Sequence, residues 1–224
     1  MDAQKIFVTQ PIPERGIQML RERGYEVVVQ PEDRTIEKEE LIAELKKNQY
    51  DAVLCLLTNK IDGDVFDAAG KQCKIFANYA VGYDNIDMKA ARDRDILITN
   101  TPGVLSETVA EHTFALMLAL AHRIPESDRF TRAGKYKGWG PMLFLGTDLS
   151  NKTLGVVGLG RIGSLVAHHA SRGFNMKVLY YDVKRNEEFE KEYNATYCET
   201  VEKLLPDADF VSLHVPLLPE TTHL

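Results

Sequence analysis

The stretch Thr153-Leu154-Gly155-Val156-Val157-Gly158-Leu159-Gly160-Arg161-Ile162-Gly163 decides how the chain is read. An apolar run, Thr153–Gly158, passes directly into a GxGxxG. The segment after it, Ile162–Arg172, sets Ile162, Leu165, Val166 and Ala170 on one side and meets Gly173 as a C-cap. The next apolar run, Lys177–Tyr181, is closed by Asp182, 19 residues after Gly163. A GxGxxG alone is a weak signal. Between a strand and a helix, with an acid closing the next strand, it has a dinucleotide-binding mechanism. Gly158 makes the tight turn, Gly160 lets a pyrophosphate approach the backbone, and Gly163 allows close helix–strand packing. The amides of the helix N-terminus hold the phosphates, and Asp182 accepts hydrogen bonds from the ribose. The competing reading is a glycine-rich βα turn with no ligand. A carboxylate at Asp182 repels the 2′-phosphate of NADP and so points to NAD. Lys184 and Arg185 follow closely and either soften that repulsion or are solvated loop charges.

Outward from this stretch the chain alternates short apolar runs with amphipathic segments. Strands are expected at Lys5–Thr9, Tyr25–Val29, Ala52–Leu57, Lys74–Tyr79, Ile96–Thr99, Lys177–Tyr181, Ala195–Tyr197 and Asp209–Val215. Helices are expected between them, at Glu14–Arg23 (closed by Gly24), Ile36–Lys47, Asp64–Ala69, Met88–Arg94 (capped by Asp87), Glu187–Tyr193 and Thr200–Leu205. The strands do not alternate polar with apolar, which means burial on both faces and a parallel sheet between helices. The fold class is α/β with two doubly wound parallel-sheet domains, 1–102 and 103–224, split at Asn100-Thr101-Pro102-Gly103. Thr108-Val109-Ala110-Glu111 reads as a capping box, opening a helix to about Arg123. Its Thr113–Ala121 segment is apolar nearly all round and is expected to be buried between domains or between subunits. The glycine-rich stretch 134–151, with Trp139, reads as a functional loop.

Composition removes other classes. The 224 residues are 44% hydrophobic and carry a net charge of −6 without a basic run, a poor match to phosphate-backbone binding. The longest apolar run, Phe114–Ala121, is far short of the roughly 20 residues that span a bilayer. Cys55, Cys73 and Cys198 are odd in number, have no CxxC, and read as buried reduced thiols in a cytoplasmic protein. No metal-ligand spacing is present.

Five separated segments carry a resemblance. They are Asn78-Tyr79-Ala80-Val81-Gly82-Tyr83-Asp84-Asn85-Ile86-Asp87, Thr99-Asn100-Thr101-Pro102-Gly103, Val109-Ala110-Glu111, Gly158–Gly163, and His214-Val215-Pro216-Leu217 followed by Pro219-Glu220-Thr221. In this order the chain resembles the D-isomer-specific 2-hydroxyacid dehydrogenases, in particular the glyoxylate/hydroxypyruvate reductase branch. The resemblance implies a flavodoxin-like substrate domain and a Rossmann NAD-binding domain with the site in the cleft between them. It implies that the Val81 and Gly82 amides hold the substrate carboxylate and that Leu57 lines the pocket. Cofactor contacts fall on Val81, Thr108, Gly158, Gly160, Arg161, Ile162, Gly163, Asp182, Val215 and Pro216. NADP is the less expected cofactor.

The chain departs from the family pattern in one large respect. The Arg, Glu and His that perform the family's chemistry normally follow the strand ending at His214. No residue here takes a catalytic role, since neither His112 nor His214 matches the family's histidine. The expectation is a chain truncated before those residues, its Rossmann domain incomplete and residues 1–224 alone inactive. The implied activity is NAD(H)-dependent interconversion of a small 2-oxo acid and its D-2-hydroxy acid in a homodimer, without nucleic acid or membrane partners. A truncated inactive product and an NAD-sensing binding protein of the same fold are the alternatives.

Overall fold

The computed structural model describes residues 3–224. It contains two compact units that divide between Pro102 and Gly103. The first also takes in Pro216–Leu224, and the second is Gly103–Val215. The sequence division ran on to residue 224. The difference follows from Pro216, which has no N–H to continue a strand ladder, and from the second proline at Pro219, which opens a short 3-10 turn.

The first unit is a five-stranded, all-parallel sheet of β1 (Lys5–Val8), β2 (Glu26–Val29), β3 (Ala52–Cys55), β4 (Ile75–Asn78) and β5 (Leu97–Thr99), in the order β2-β1-β3-β4-β5. This is the flavodoxin-like order. Residues alternate between the two faces. Ile6 and Val8 pack with Ile17 of α1 (Glu14–Glu22). Phe7, Val53, Cys55 and Phe76 pack with Leu41 and Leu45 of α2 (Lys38–Lys47), Val65 and Phe66 of α3 (Gly63–Ala69) and Ala91 of α4 (Met88–Arg92). Two caps behave as the sequence suggests. Asp87 accepts from the Ala90 amide at 2.9 Å, and Gly24, at φ +88°, follows α1 with its amide on the Arg21 carbonyl.

The second unit opens with α5 (Ser106–Ala121) and α6 (Ile124–Arg132). Its four parallel strands are β6 (Thr153–Val157), β7 (Lys177–Tyr181), β8 (Thr196–Tyr197) and β9 (Phe210–Leu213), in the order β8-β7-β6-β9. Helix α7 (Arg161–Phe174) joins β6 to β7, and α8 (Glu187–Tyr193) and α9 (Val201–Leu204) lie between β7 and β9. Leu154, Val156, Val178 and Tyr180 form a core with Ala110 and Phe114 of α5 and Val166, Ala167 and Ala170 of α7. Leu204 seals the opposite face, so close to Gly155 that a Cβ there would stand 2.4 Å from its Cδ2.

Several sequence expectations need correction. Thr108 is not an N-cap. Helix α5 starts at Ser106 after Leu105, with no side-chain cap, and Thr108 is its third helical residue. Glu107 supplies the negative charge that the first turn favours. The helix stops at Ala121, because Arg123 takes a left-handed conformation at φ +54° and Pro125 then starts α6, which the sequence reading left unassigned. Gly173 lies inside α7, and the left-handed residue that ends the helix is Asn175, at φ +51°. Within this single chain α5 buries Ser106, Ala110, Phe114 and Ala121 and leaves Leu116 60% exposed and Leu120 76% exposed. Nor are all strands covered on both faces. The edge strand β9 exposes Val211 and Leu213.

Phe76 is fully buried and meets Phe66 edge to face, with ring centroids 5.0 Å apart. Phe76→Ala is expected to lower stability by about 3–5 kcal/mol, read as a fall in the urea midpoint at unchanged slope. A midpoint equal to wild type would show that this layer does not hold the first sheet together.

Candidate functional site

The two turns that follow β6 and β9 meet where the strand order of the second sheet reverses, the position at which open α/β sheets bind ligands. Gly158 sits at φ +94°, and a Cβ on it would lie 2.8 Å from the His214 carbonyl oxygen and 2.9 Å from Val215 Cγ1. Gly163 is tighter still, since a Cβ would lie 1.9 Å from the Gly158 oxygen. Above Gly160 the space is open for 4 Å. Gly160 is also the N-cap of α7 and offers no side chain to its first amides. Those amides lack intrahelical partners and carry the positive end of the helix dipole. This corner can hold an anion against bare backbone.

Asp182 fixes the turn from the neighbouring strand. Its Oδ2 accepts from the Leu159 amide at 2.7 Å and its Oδ1 from the Lys184 amide at 3.1 Å. The Gly158 amide donates to the Tyr181 carbonyl at 2.8 Å. Arg185 is held away in a two-pronged pair with Glu190, at 2.8 and 2.7 Å, with its guanidinium over the Tyr197 ring. Glu190 also accepts from the Tyr180 hydroxyl at 2.8 Å, and these bonds pull its carboxyl down to about 2. Arg161 is exposed on the first turn of α7, Ile162 is half-buried against the core, and Val215 is half-buried at the end of the unit. Thr108 and Pro216 are exposed.

In the first unit the structure brings Leu57 and Gly82 together, with Leu57 Cδ1 3.8 Å from the position of a Cβ on Gly82. Leu57 also lines an open groove with Thr58, Lys60, Asp84 and Asn85. The loop after β4 has its carbonyls occupied one after another. Ala80 accepts from the Thr101 amide at 2.8 Å, Val81 from Asn100 Nδ2 at 2.8 Å, Gly82 from Asn78 Nδ2 at 2.8 Å, and Tyr83 from the Ile86 amide at 3.0 Å. A trans peptide points its N–H away from its own C=O. The amides of Val81, Gly82 and Tyr83 therefore face away from those donors, and among the described residues none of them donates to the protein. Successive free amides make an anion-binding concavity.

The asparagines behind this loop were not singled out in the sequence as functional. Asn78, the last residue of β4, and Asn59, in the turn after β3, are buried at 2% and 3% exposure. Buried amides in such places are the signal that was available. His214, half-buried after β9, lies 2.8 Å from Ser212 Oγ through Nε2, and burial lowers its pKa. His112 is exposed on α5. The three cysteines are free. Burial pushes the Cys55 thiol up to about 12 and Cys73 to about 11, while Cys198 is only part-buried. Among the described residues no group of three or more His, Cys, Asp or Glu side chains is placed to hold a metal ion. No described helix is long and apolar enough to cross a membrane.

Comparison with known proteins places the chain in one family. The sequence model of the D-isomer specific 2-hydroxyacid dehydrogenase NAD binding domain matches residues 114–224. A Polaromonas sp. JS6 66 crystal structure assigned to those dehydrogenases is 32% identical and superposes with a TM-score of 0.88, over 97% of this chain and 67% of its own. The chain belongs to the D-isomer specific 2-hydroxyacid dehydrogenase family. A glyoxylate reductase of Korarchaeum cryptofilum is 50% identical over 221 residues, covering 98% of this chain and 65% of the relative. The chain thus spans about two thirds of the length of such relatives. The structure of D-lactate dehydrogenase from Aquifex aeolicus, complexed with NAD and lactic acid, is 30% identical, with a TM-score of 0.80 over 97% of this chain and 62% of that one.

Gly163→Ala forces a methyl into the Gly158 carbonyl, and backbone must move to admit it. The expected cost is about 1–3 kcal/mol, seen as a lowered thermal midpoint. Gly160→Ala, which faces open space, is expected to leave the midpoint within a degree or two. Equal midpoints for the two variants would contradict the close approach.

Proposed function

We propose that the chain is part of an NAD(H)-dependent oxidoreductase that interconverts a small 2-oxo acid and its D-2-hydroxy acid by hydride transfer. Glyoxylate or hydroxypyruvate is the favoured oxo acid, in keeping with the glyoxylate reductase named above. The observation that carries the reading is the turn at Gly158–Gly163. Its open backbone at Gly160, the helix N-terminus behind it and the acid at Asp182 fit a dinucleotide. Gly158, Gly160, Arg161, Ile162 and Gly163 would hold its phosphates, Asp182 its ribose, and Val81, Thr108, Val215 and Pro216 its remaining length. When bound, the nicotinamide supplies the hydride. The amides at Val81 and Gly82 hold the carboxylate of the oxo acid and Leu57 covers it, so that the substrate is fixed in orientation before reaction. No proton-transfer role is assigned to any residue of this sequence. The reading includes a cytoplasmic setting, to which the three free thiols are suited.

NAD is preferred to NADP on charge. Asp182 would face the 2′-position of a bound cofactor, and Arg185, the nearby side chain best suited to a phosphate, is engaged by Glu190. The test is steady-state kinetics of the protein at its natural length, with NADH and NADPH against glyoxylate, hydroxypyruvate and pyruvate. Activity with none of them would overturn the proposal. Asp182→Asn keeps an acceptor for the Leu159 amide and removes the charge. It is expected to shift the NADPH-to-NADH ratio of kcat/KM toward NADPH by about 1.5–3 kcal/mol, the range for a hydrogen bond to a charged group. An unchanged ratio would remove Asp182 from cofactor selection.

A homodimer built on α5 is part of the same reading. Leu116 and Leu120 project an apolar face into solvent, and Ile124, Trp139, Met142 and Leu145 are exposed after them in sequence. Apolar exposure of this extent marks an association surface. Leu120→Lys is expected to give a monomer in sedimentation at micromolar concentration where wild type gives a dimer. A monomeric wild type would end the idea.

A further inference from the structure

We infer that Asn100 and Asn78 are positioning residues for the substrate carboxylate, setting the direction of the Gly82 and Tyr83 amides by holding the carbonyls that precede them. The inference rests on the proposed role of the Val81–Gly82 backbone, extends that role to the next free amide, Tyr83, and assigns what keeps this backbone in its binding form.

A loop of free amides has no reason of its own to point them all outward, because each peptide plane can rotate and lose the array. Here the planes are pinned from behind. Asn100 Nδ2 holds the Val81 carbonyl at 2.8 Å and so aims the Gly82 amide. Asn78 Nδ2 holds the Gly82 carbonyl at 2.8 Å and so aims the Tyr83 amide. Each of these donors is itself fixed. Asn78 is 2% exposed, and its Oδ1 accepts from Asn85 Nδ2 at 3.3 Å. Asn85 Nδ2 also donates to the Asn59 carbonyl at 3.0 Å. Asn59 Oδ1 in turn takes the Thr9 hydroxyl at 2.6 Å and the Leu56 amide at 2.9 Å. Asn100 directly follows β5, and the next amide, Thr101, holds the Ala80 carbonyl. The carbonyl ends of β1, β3 and β4 are thereby joined through one side-chain network, Asn100 after β5 holds the same loop from its other side, and the free output is the row of amides at Val81, Gly82 and Tyr83. An aspartate at either position would offer an acceptor to a carbonyl and repel it, and a leucine would offer nothing.

Asn100 is the better test, since it makes one bond to the loop while Asn78 is woven into the buried network. The experiment is steady-state kinetics of the natural-length enzyme with NADH and glyoxylate, with oxalate as a carboxylate inhibitor. In Asn100→Leu the KM for glyoxylate and the Ki for oxalate are expected to rise together by about tenfold or more, the effect of a lost charge-assisted hydrogen bond. The kcat and the KM for NADH stay within about twofold, because an interaction present in ground and transition states alike moves KM alone. Asn100→Gln, which restores a donor, recovers part of the loss. A glyoxylate KM unchanged in Asn100→Leu overturns the inference. So does a parallel loss in kcat and in both KM values, which marks a merely structural residue. If Asn100→Leu does not fold, Asn100→Ser carries the same two outcomes. A wild type that neither reduces glyoxylate nor is inhibited by oxalate overturns the reading of the site itself, and is thereby distinguished from failure of the asparagine role.

Discussion

A helix can begin hard against the end of a strand only where no side chain stands between the two backbones. That constraint governs the second unit. The approach of Gly163 to the Gly158 carbonyl leaves no room for a single carbon. The same closeness lets α7 lie flat on β6 with Val166, Ala167 and Ala170 buried beneath it. Because the helix starts there, its unsatisfied amides open at the corner where β6 and β9 part. Packing and binding at this corner are one geometric fact, and a change that relieves the crowding also moves the amides.

The first unit reaches a comparable end by other means. Its free amides come from an irregular loop, and side-chain amides from behind impose the order that a helix imposes automatically. The two units thus present rows of backbone N–H groups at the carboxyl ends of parallel sheets, one aimed by secondary structure and the other by a hydrogen-bond network.

Much of this was legible in the sequence. The β-α alternation and the Gly158–Gly163 motif announce parallel sheets and a nucleotide turn, since apolar runs and glycine spacing are local properties. What was not legible depends on partners far along the chain. The Asn100–Val81 and Asn78–Gly82 bonds appear only once β4 and β5 are side by side. The pairing of Arg185 with Glu190 depends on how the loop after β7 folds back on α8. Local rules also misled. Thr108 and Glu111 have the spacing of a capping box, but Ser106 and Glu107 take the start of the helix, and Gly173 is outcompeted as a stop by Asn175. The apolar girth of α5 was read correctly as residue type. Its exposure follows from which stripe faces α7, and that belongs to the tertiary structure.

The pinned carbonyls of Ala80, Val81, Gly82 and Tyr83 have a consequence set by the size of the proposed ligand. A small oxo acid such as glyoxylate has about five non-hydrogen atoms, and the best tiny ligands gain at most about 1.5 kcal/mol per atom, so its ceiling is roughly 7 kcal/mol. Ordering four backbone residues from a mobile loop costs about 4–8 kcal/mol. A loop that had to be organised on arrival would consume nearly all of the affinity so few atoms can generate. A molecule this small can be recognised only by a surface that is already in place, and here Asn78, Asn100 and the amides of Thr101 and Ile86 meet that cost when the chain folds, before any ligand arrives.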